Sequence, residues 1–306
     1  MEVTFWGVRG SIPTPGYDTA RYGGNTLCIE VVPEGCHRTL VIDAGSGIRL
    51  LGNDLMSRPG RSEAPLQIDL LLSHTHLDHI LGLPFFRPLY HPASQVTLYG
   101  PVISAADNLK QVIGGQLSYR YFPVRQVELS ASMRYVDLKE GDRDLGDGIR
   151  VSSAYLNHPL LCMGYRIEQA GKVVCTAFDT EPFHNLFTTD PSAPGYDELM
   201  AHEGELSARE ADSRLAQFFR GADLLIHDGQ FTESEYRSGR VGWGHSAIEH
   251  AVAAAEASGS RRLALVHHDP LRTDSEMDEL ACRYGGVRAG SGVEVIFARE
   301  SQSITL

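Results

Sequence analysis

Three imidazoles and a carboxylate fall within six positions in LLSHTHLDHI (71–80), directly after an apolar run. His74 and His76 alternate while the chain is still extended, so both can point to one side. Asp78 and His79 follow as it turns. The group offers two imidazoles to one ion and a carboxylate with an imidazole to a second. Neutral imidazole nitrogen and carboxylate oxygen are good ligands for zinc and related ions. A bend gains nothing from so many of them unless an ion is bound. More such residues come later: His158 in YLNHP, Asp179 in TAFDTE, His227 and Asp228 in DLLIHDG, His245 in GWGHS, and the neighbours His267 and His268 in LVHHDP.

The elements that must position these residues can be read from the apolar pattern. VTFW (3–6), LCIEVV (27–32) and TLVIDAG (39–45) are expected strands, and QIDLLLS (67–73) is a near-continuous apolar run typical of a strand buried on both faces. QVTLYG (95–100), RYVDL (134–138) and GIRVSSAYL (148–156) follow, then GYRIE and KVVCTAFD as a hairpin that ends at Asp179. Segment 181–204 reads as a long loop and 207–219 as a helix. After the strand DLLIHDG (223–229) come a helix to 258, the strand RRLALVHHD (261–269), a helix over 274–284 and the strand GVEVIFA (292–298). Ile48, Leu51 and Leu55 recur at helical spacing. Ser246 with Glu249 forms a capping-box pattern, which would start the helix at Ser246 and hold His245 at its mouth. A β-rich chain with interleaved helices predicts two sheets carrying helices on their outer faces, in one domain spanning 1–306.

Composition bounds the function. The 306 residues are 42% hydrophobic and 22% charged, with a formal net charge of −12. That balance fits a soluble globular protein and gives up the electrostatic attraction on which binding of long nucleic acid depends. The five cysteines, with no C-x-x-C, predict reduced thiols and a cytoplasmic setting. The chain start lacks a signal-peptide pattern, and no apolar run approaches membrane-spanning length.

SHTHLDHILGLPFF resembles the signature of the metallo-β-lactamase superfamily, and His158, Asp179 and His267 match its remaining stations in order. The resemblance covers essentially the whole chain. It implies an αββα sandwich of two mixed β-sheets with helices on the outer faces and a dinuclear metal site at one sheet edge. Zinc is the first candidate, with manganese or iron as alternatives. By family correspondence His74, His76 and His158 hold one ion, Asp78, His79 and His267 the other, and Asp179 bridges. Spacing does not separate His267 from His268; the family register selects His267. The tail is similar to the ribonuclease Z and phosphodiesterase branch, in which a His–acidic pair closes a strand and a second histidine precedes a helix. Asp228 would then orient His245 and favour its protonated form. The implied chemistry is attack of a metal-activated water on phosphorus, steered by Asp78, with His245 as general acid.

Only 21 positions separate His158 from Asp179, enough for a hairpin and too few for the tRNA-gripping arm that some enzymes of this branch carry there. With the acidic balance, this favours a small phosphodiester, most simply a cyclic nucleotide. Phe85, Phe86, Tyr90, Tyr119, Tyr121, Phe122 and Phe183 could stack a base, with core packing or a homodimer contact as the alternative. Arg9, Arg21 and Asn25 in the Gly- and Pro-rich loop could reach phosphate. Competing readings are a metal-dependent hydrolase of another ester class (lactone or thioester), a nuclease of the ribonuclease Z type, and a nucleotide-binding sensor without activity.

Overall fold

Strands with buried faces pair into two sheets in the computed structural model, which describes residues 1–58, 65–102 and 108–306. In chain order they are β1 (Glu2–Gly7), β2 (Cys28–Val32), β3 (Arg38–Ile42), β4 (Leu66–Leu71), β5 (Ser94–Pro101) and β6 (Ser132–Leu138). Next come β7 (Gly141–Gly146), β8 (Ile149–Tyr155), β9 (Met163–Gln169), β10 (Lys172–Ala177), β11 (Leu224–Asp228), β12 (Arg262–Val266), β13 (Gly286–Val287), β14 (Glu294–Phe297) and β15 (Ser303–Thr305). One sheet has the order β15-β1-β2-β3-β4-β5-β6, the other β13-β14-β12-β11-β10-β9-β8-β7. The helices are α1 (Ile48–Ser57), α2 (Leu77–Ile80), α3 (Leu109–Gln116), α4 (Glu198–Phe218), α5 (Glu233–Arg237), α6 (Ile248–Ser258) and α7 (Asp274–Tyr284).

Apolar side chains from both sheets, among them Phe5, Leu40, Ile42, Tyr165, Ile167 and Ile226, form the central layer. Outside the first sheet, Ile48, Leu51 and Leu55 of α1 are fully buried against Val41 and Leu70. Each such side chain contributes about 1.5–3 kcal/mol on burial. On the outer face of the second sheet, α6 and α7 pack Ile248, Val252, Met277 and Leu280 onto Leu225, Leu263 and Leu265. The result is the expected αββα sandwich. All five cysteines are free. No helix among the described residues is long and apolar enough to cross a membrane.

Strand direction places the chemistry. β3, β4 and β5 run parallel, as do β10, β11 and β12; β8 is antiparallel to β9 and β9 to β10, so β8 shares the direction of β10. The segments that carry His74, His158, Asp179, Asp228 and His267 therefore all leave the carboxyl ends of strands, the usual location of sites in sheets with parallel strands. Two hydrogen bonds tie the sheets together under the His-rich bend. The Tyr165 hydroxyl donates to the Leu72 carbonyl at 2.5 Å, and the Met163 amide donates to the Ser73 carbonyl at 2.8 Å.

Two expectations need correction, and one edge strand carries no sequence pattern. The segment 181–204 is not loop throughout: α4 begins at Glu198, capped by Asp197, whose carboxylate accepts from the Met200 amide at 3.0 Å. Only Ala201 and Ala211 are buried along its 21 residues, so no apolar stripe announces it. β7 escaped the pattern because it is an edge strand whose residues are exposed apart from half-buried Leu145. The helix after His245 starts at Ile248 rather than Ser246. The Ser246 hydroxyl instead donates to the Thr180 carbonyl at 2.7 Å, and the Glu249 carboxylate accepts from the Glu233 amide and the Tyr284 hydroxyl.

Tyr165→Phe strips the Leu72 carbonyl of its buried donor. Loss of about 1–3 kcal/mol is expected, read as a lower urea midpoint with an unchanged slope. A midpoint equal to the parent's would show that this inter-sheet bond adds nothing.

Candidate metal centre

The strand ends converge on one buried carboxylate. Asp179 Oδ2 lies 3.4 Å from His74 Nε2 and 3.2 Å from His79 Nε2, while its Oδ1 lies 3.2 Å from His267 Nε2. Asp78 Oδ2 stands 3.4 Å from His79 Nε2 and 3.3 Å from His267 Nε2, and His158 Nε2 stands 3.1 Å from His76 Nδ1. Three groups of donors follow, His74, His76, His158 and Asp179; Asp78, His79, Asp179 and His267; and Asp179, Asp228, His245 and His267, the atoms of each within 4.8 Å of one another. All seven residues expected to hold metal are thus brought together.

These contacts fit a metal better than they fit hydrogen bonds. His74 Nε2, His79 Nε2 and Asp179 Oδ1 are buried without a hydrogen-bond partner, although polar atoms surround them. Ligand atoms around a tetrahedral ion with bonds of roughly 2.0–2.2 Å are about 3.3–3.6 Å apart, close to the spacings here. Orphaned buried donors and acceptors are costly, and two divalent cations, one in each of the first two groups of donors, would satisfy all three.

The other ring nitrogens are fixed from behind. His79 Nδ1 donates to Asp43 at 2.7 Å, His158 Nδ1 to the Gly244 carbonyl at 3.0 Å, and His267 Nδ1 to the Gln230 side-chain carbonyl at 3.0 Å. Ser73 donates its hydroxyl proton to Asp43 and lies 3.0 Å from His74 Nδ1, which can donate to it. The Ser11 amide donates to Asp78 Oδ2 at 2.7 Å. Such partners set the tautomer and the aim of each ligand. Burial pushes His74, His76 and His158 down, towards the neutral form that ligates metal. Burial also opposes ionisation of Asp78 and Asp179, yet the imidazoles around them hold both below the usual carboxylate range.

Backbone strain gathers at the same place. Ser11, Asp43, Asp179 and His267 all have positive φ, between 49° and 64°. Left-handed conformations of this kind cost roughly 1–3 kcal/mol each and persist where the surroundings over-determine them. Two glycines let backbone reach the ligands: a Cβ at Gly10 would lie 2.3 Å from the His267 ring, and one at Gly244 would lie 2.2 Å from His158 Nδ1.

His245 and Asp228 complete the cleft. Asp228 accepts from His245 Nδ1 at 2.8 Å, and the His245 ring stacks on His267 with centroids 4.7 Å apart. Burial lowers the His245 imidazole, but the charge and hydrogen bond of Asp228, with Asp179 and Asp78 behind, raise it to about 9. His268 faces away: its Nε2 donates to the Ala298 carbonyl, and burial pushes it down to about 3.

Several site residues carry no strong sequence signal. Asp43 is hinted at only by its place after a strand in VIDAG, and Ser73, Gln230 and Glu181 by nothing comparable. Glu181 accepts from the amides of Gly242 and Gly244, both at 2.9 Å, and from the Tyr236 hydroxyl at 2.7 Å. It thereby clamps the loop that carries His245 and supplies the carbonyl to His158, while Trp243 on that loop is 59% exposed. The loop residues considered for phosphate are otherwise engaged. Arg9 is buried and donates to the carbonyls of Gly23, Asp269 and Arg272; Arg21 pairs with Asp274 and Asp278; Asn25 bonds Glu300 and Ser46. Among the aromatics, Phe86 is core, while Phe85, Tyr119 and Tyr121 are exposed.

Residues 38–268, more than half of the chain, match the family model of the β-lactamase superfamily domain. The chain therefore belongs to the metallo-β-lactamase superfamily, a class of metal-dependent hydrolases. It is 28% identical over 295 residues to ribonuclease Z of Haloarcula marismortui, covering 87% of this chain and 86% of that protein. It is 27% identical over 259 residues to ribonuclease BN of Erwinia tasmaniensis, covering 75% and 78%. The crystal structure of human tRNase Z, short form, shares the fold with a TM-score of 0.60 at 20% identity, covering 100% of this chain and 99% of that one.

Asp43→Ala removes the partner that aims His79. Affinity for metal should fall about 10- to 100-fold, measured by titration with a competing chelator. Unchanged retention would mean that the imidazole is aimed by packing alone.

Proposed function

We propose that the chain is a dimetal phosphodiesterase acting on a small phosphodiester, a cyclic nucleotide first among candidates, with His245 as general acid. The observation that carries this reading is the His245–Asp228 pair stacked against the donor set. It supplies a proton at the place where a leaving oxygen would depart. In this reading His74, His76 and His158 hold one ion, Asp78, His79 and His267 the other, and Asp179 is shared between them. The imidazole and carboxylate donors suit zinc, with manganese or iron as alternatives. Bound ions would lower the pKa of an attacking water and neutralise charge on the phosphoryl oxygens.

The chain's own residues do the rest. Asp78, held by the Ser11 amide, orients the attacking water. As the oxygen of that water, one of whose protons has passed to solvent, bonds to phosphorus and the ester P–O bond breaks, His245 Nε2 gives its proton to the departing oxygen, leaving a phosphomonoester and an alcohol. Asp228 keeps Nδ1 protonated and stabilises the imidazolium. A small substrate is favoured by the short β9–β10 hairpin between His158 and Asp179, which turns at Ala170 and Gly171, and by the net charge of −12. Cleavage at the 3′ side of tRNA is the second reading, favoured by the relatives named ribonuclease Z and BN. Cyclic nucleotides, bis-p-nitrophenyl phosphate, a pre-tRNA, a lactone and a thioester offered to the metal-loaded enzyme separate these readings. Efficient trailer removal at physiological salt would replace the small substrate by tRNA, and preference for the lactone or thioester would discard phosphoryl chemistry.

Purified protein should hold close to two transition-metal ions per chain, and Asp179→Ala should lose at least one, by elemental analysis. Folded, active, metal-free protein would overturn the mechanism.

His245→Ala should retain both ions yet lower kcat roughly 10²–10⁴-fold, with a smaller loss on p-nitrophenyl esters, whose leaving group departs without a proton. Because the acid works protonated, activity should fall as pH rises through the His245 pKa. Asp228 raises that pKa, so Asp228→Asn should move the alkaline limb to lower pH. An equal loss on activated and natural esters would remove the general-acid role.

A further inference from the structure

Between α4, α6 and the ends of β10 and β11 lies a cavity of about 300 Å³. Its walls are apolar: Leu215, Ala216 and Phe219 on one side, Ala253, Ala254 and Ala257 on the other. Two imidazoles line it: His250, whose Nε2 pairs with Glu233, and His227 on the floor, which is only 4% exposed. His227 Nδ1 lies 2.8 Å from the Asp228 backbone carbonyl. A carbonyl only accepts, so the proton is on Nδ1 and Nε2 carries a free lone pair. Among the described residues no protein donor reaches Nε2, so it offers an unpaired acceptor to whatever fills the cavity. No Lys or Arg lines the space, and the carboxylates of Glu181 and Asp212 stand at its edge. It repels anions and is no extension of the phosphodiester site.

The floor is also the reverse side of the catalytic cleft. Thr180 follows Asp179, His227 precedes Asp228, and Ser246 follows His245. The Ser246 hydroxyl donates to the Thr180 carbonyl at 2.7 Å and closes this back wall.

We propose that this cavity is a second ligand site, for an uncharged, mostly apolar molecule of about the size of indole with one hydrogen-bond donor aimed at His227 Nε2, and that its occupancy is felt at His245. Mostly apolar pockets with a few placed polar groups are the usual form of small-molecule sites. A ligand held at Nε2 bears on the backbone that carries Asp228 and so on the hydrogen bond between Asp228 and His245.

Indole and its isostere benzothiophene, which lacks the N–H, test this on metal-loaded protein labelled with ¹⁵N-histidine. Indole should shift the His227 Nε2 resonance saturably, and His245 should shift with the same midpoint. Benzothiophene should bind roughly fivefold or more weakly, the net worth of one hydrogen bond. Ala254→Leu, a substitution at a half-buried helix position that fills the cavity, should abolish both shifts. No saturable shift at His227, or an unaltered one in Ala254→Leu, would overturn the site. Equal binding of the two probes would overturn the donor requirement, and a silent His245 would overturn the coupling. None of these readouts depends on phosphodiester hydrolysis.

Discussion

The architecture turns on the burial of one carboxylate. Asp179 sits at the meeting of the two sheets with imidazoles on both of its oxygens, at φ +49° and almost without solvent. A carboxylate there is tolerable only if positive charge faces it. The strands on either side present, from several directions at once, the imidazoles that would hold cations against it. The His-rich bend comes from the first sheet, His158 and His267 from the second, and the Tyr165–Leu72 and Met163–Ser73 bonds fix the distance between them.

The same geometry explains why strain collects at strand ends. Parallel strands bring side chains to one edge, but their directions at that edge are set by pleat and twist and not by the needs of an ion. Left-handed residues at Asp43, Asp179 and His267 re-aim the chain within a single step. The cost is borne by the apolar layers on both sides of the sheets, whose buried Ile and Leu side chains each contribute about as much as one such residue loses.

Much of this is legible in the sequence because histidines clustered after an apolar strand are informative, and because buried strands such as β4 and β12 are written as continuous apolar runs. What resists reading is whatever lacks a pattern. α4 buries two alanines and shows no stripe, β7 is polar on both faces, and Ser246 looks like a cap while serving Thr180. Asp43, Ser73, Gln230 and Glu181 are single polar residues of ordinary types. Their roles arise from neighbours 30 or more positions away, as between Ser73 and Asp43 or between Gln230 and His267, and no local spacing encodes such partners. His267 and His268 show the limit most plainly, since adjacent and identical residues part only when one faces the cleft and the other the Ala298 carbonyl.

Glu181 holds the 242–244 loop through backbone amides and not through side chains. An anchor made to main chain is indifferent to what the intervening residue carries. Position 243, exposed between two clamped glycines, is thereby freed from any duty to keep His245 in place. Its side chain can be exchanged as a tool is exchanged in a fixed handle. Successive generations of this chain can alter the side chain at the rim of the cleft while inheriting the positions of His245 and His158 unchanged.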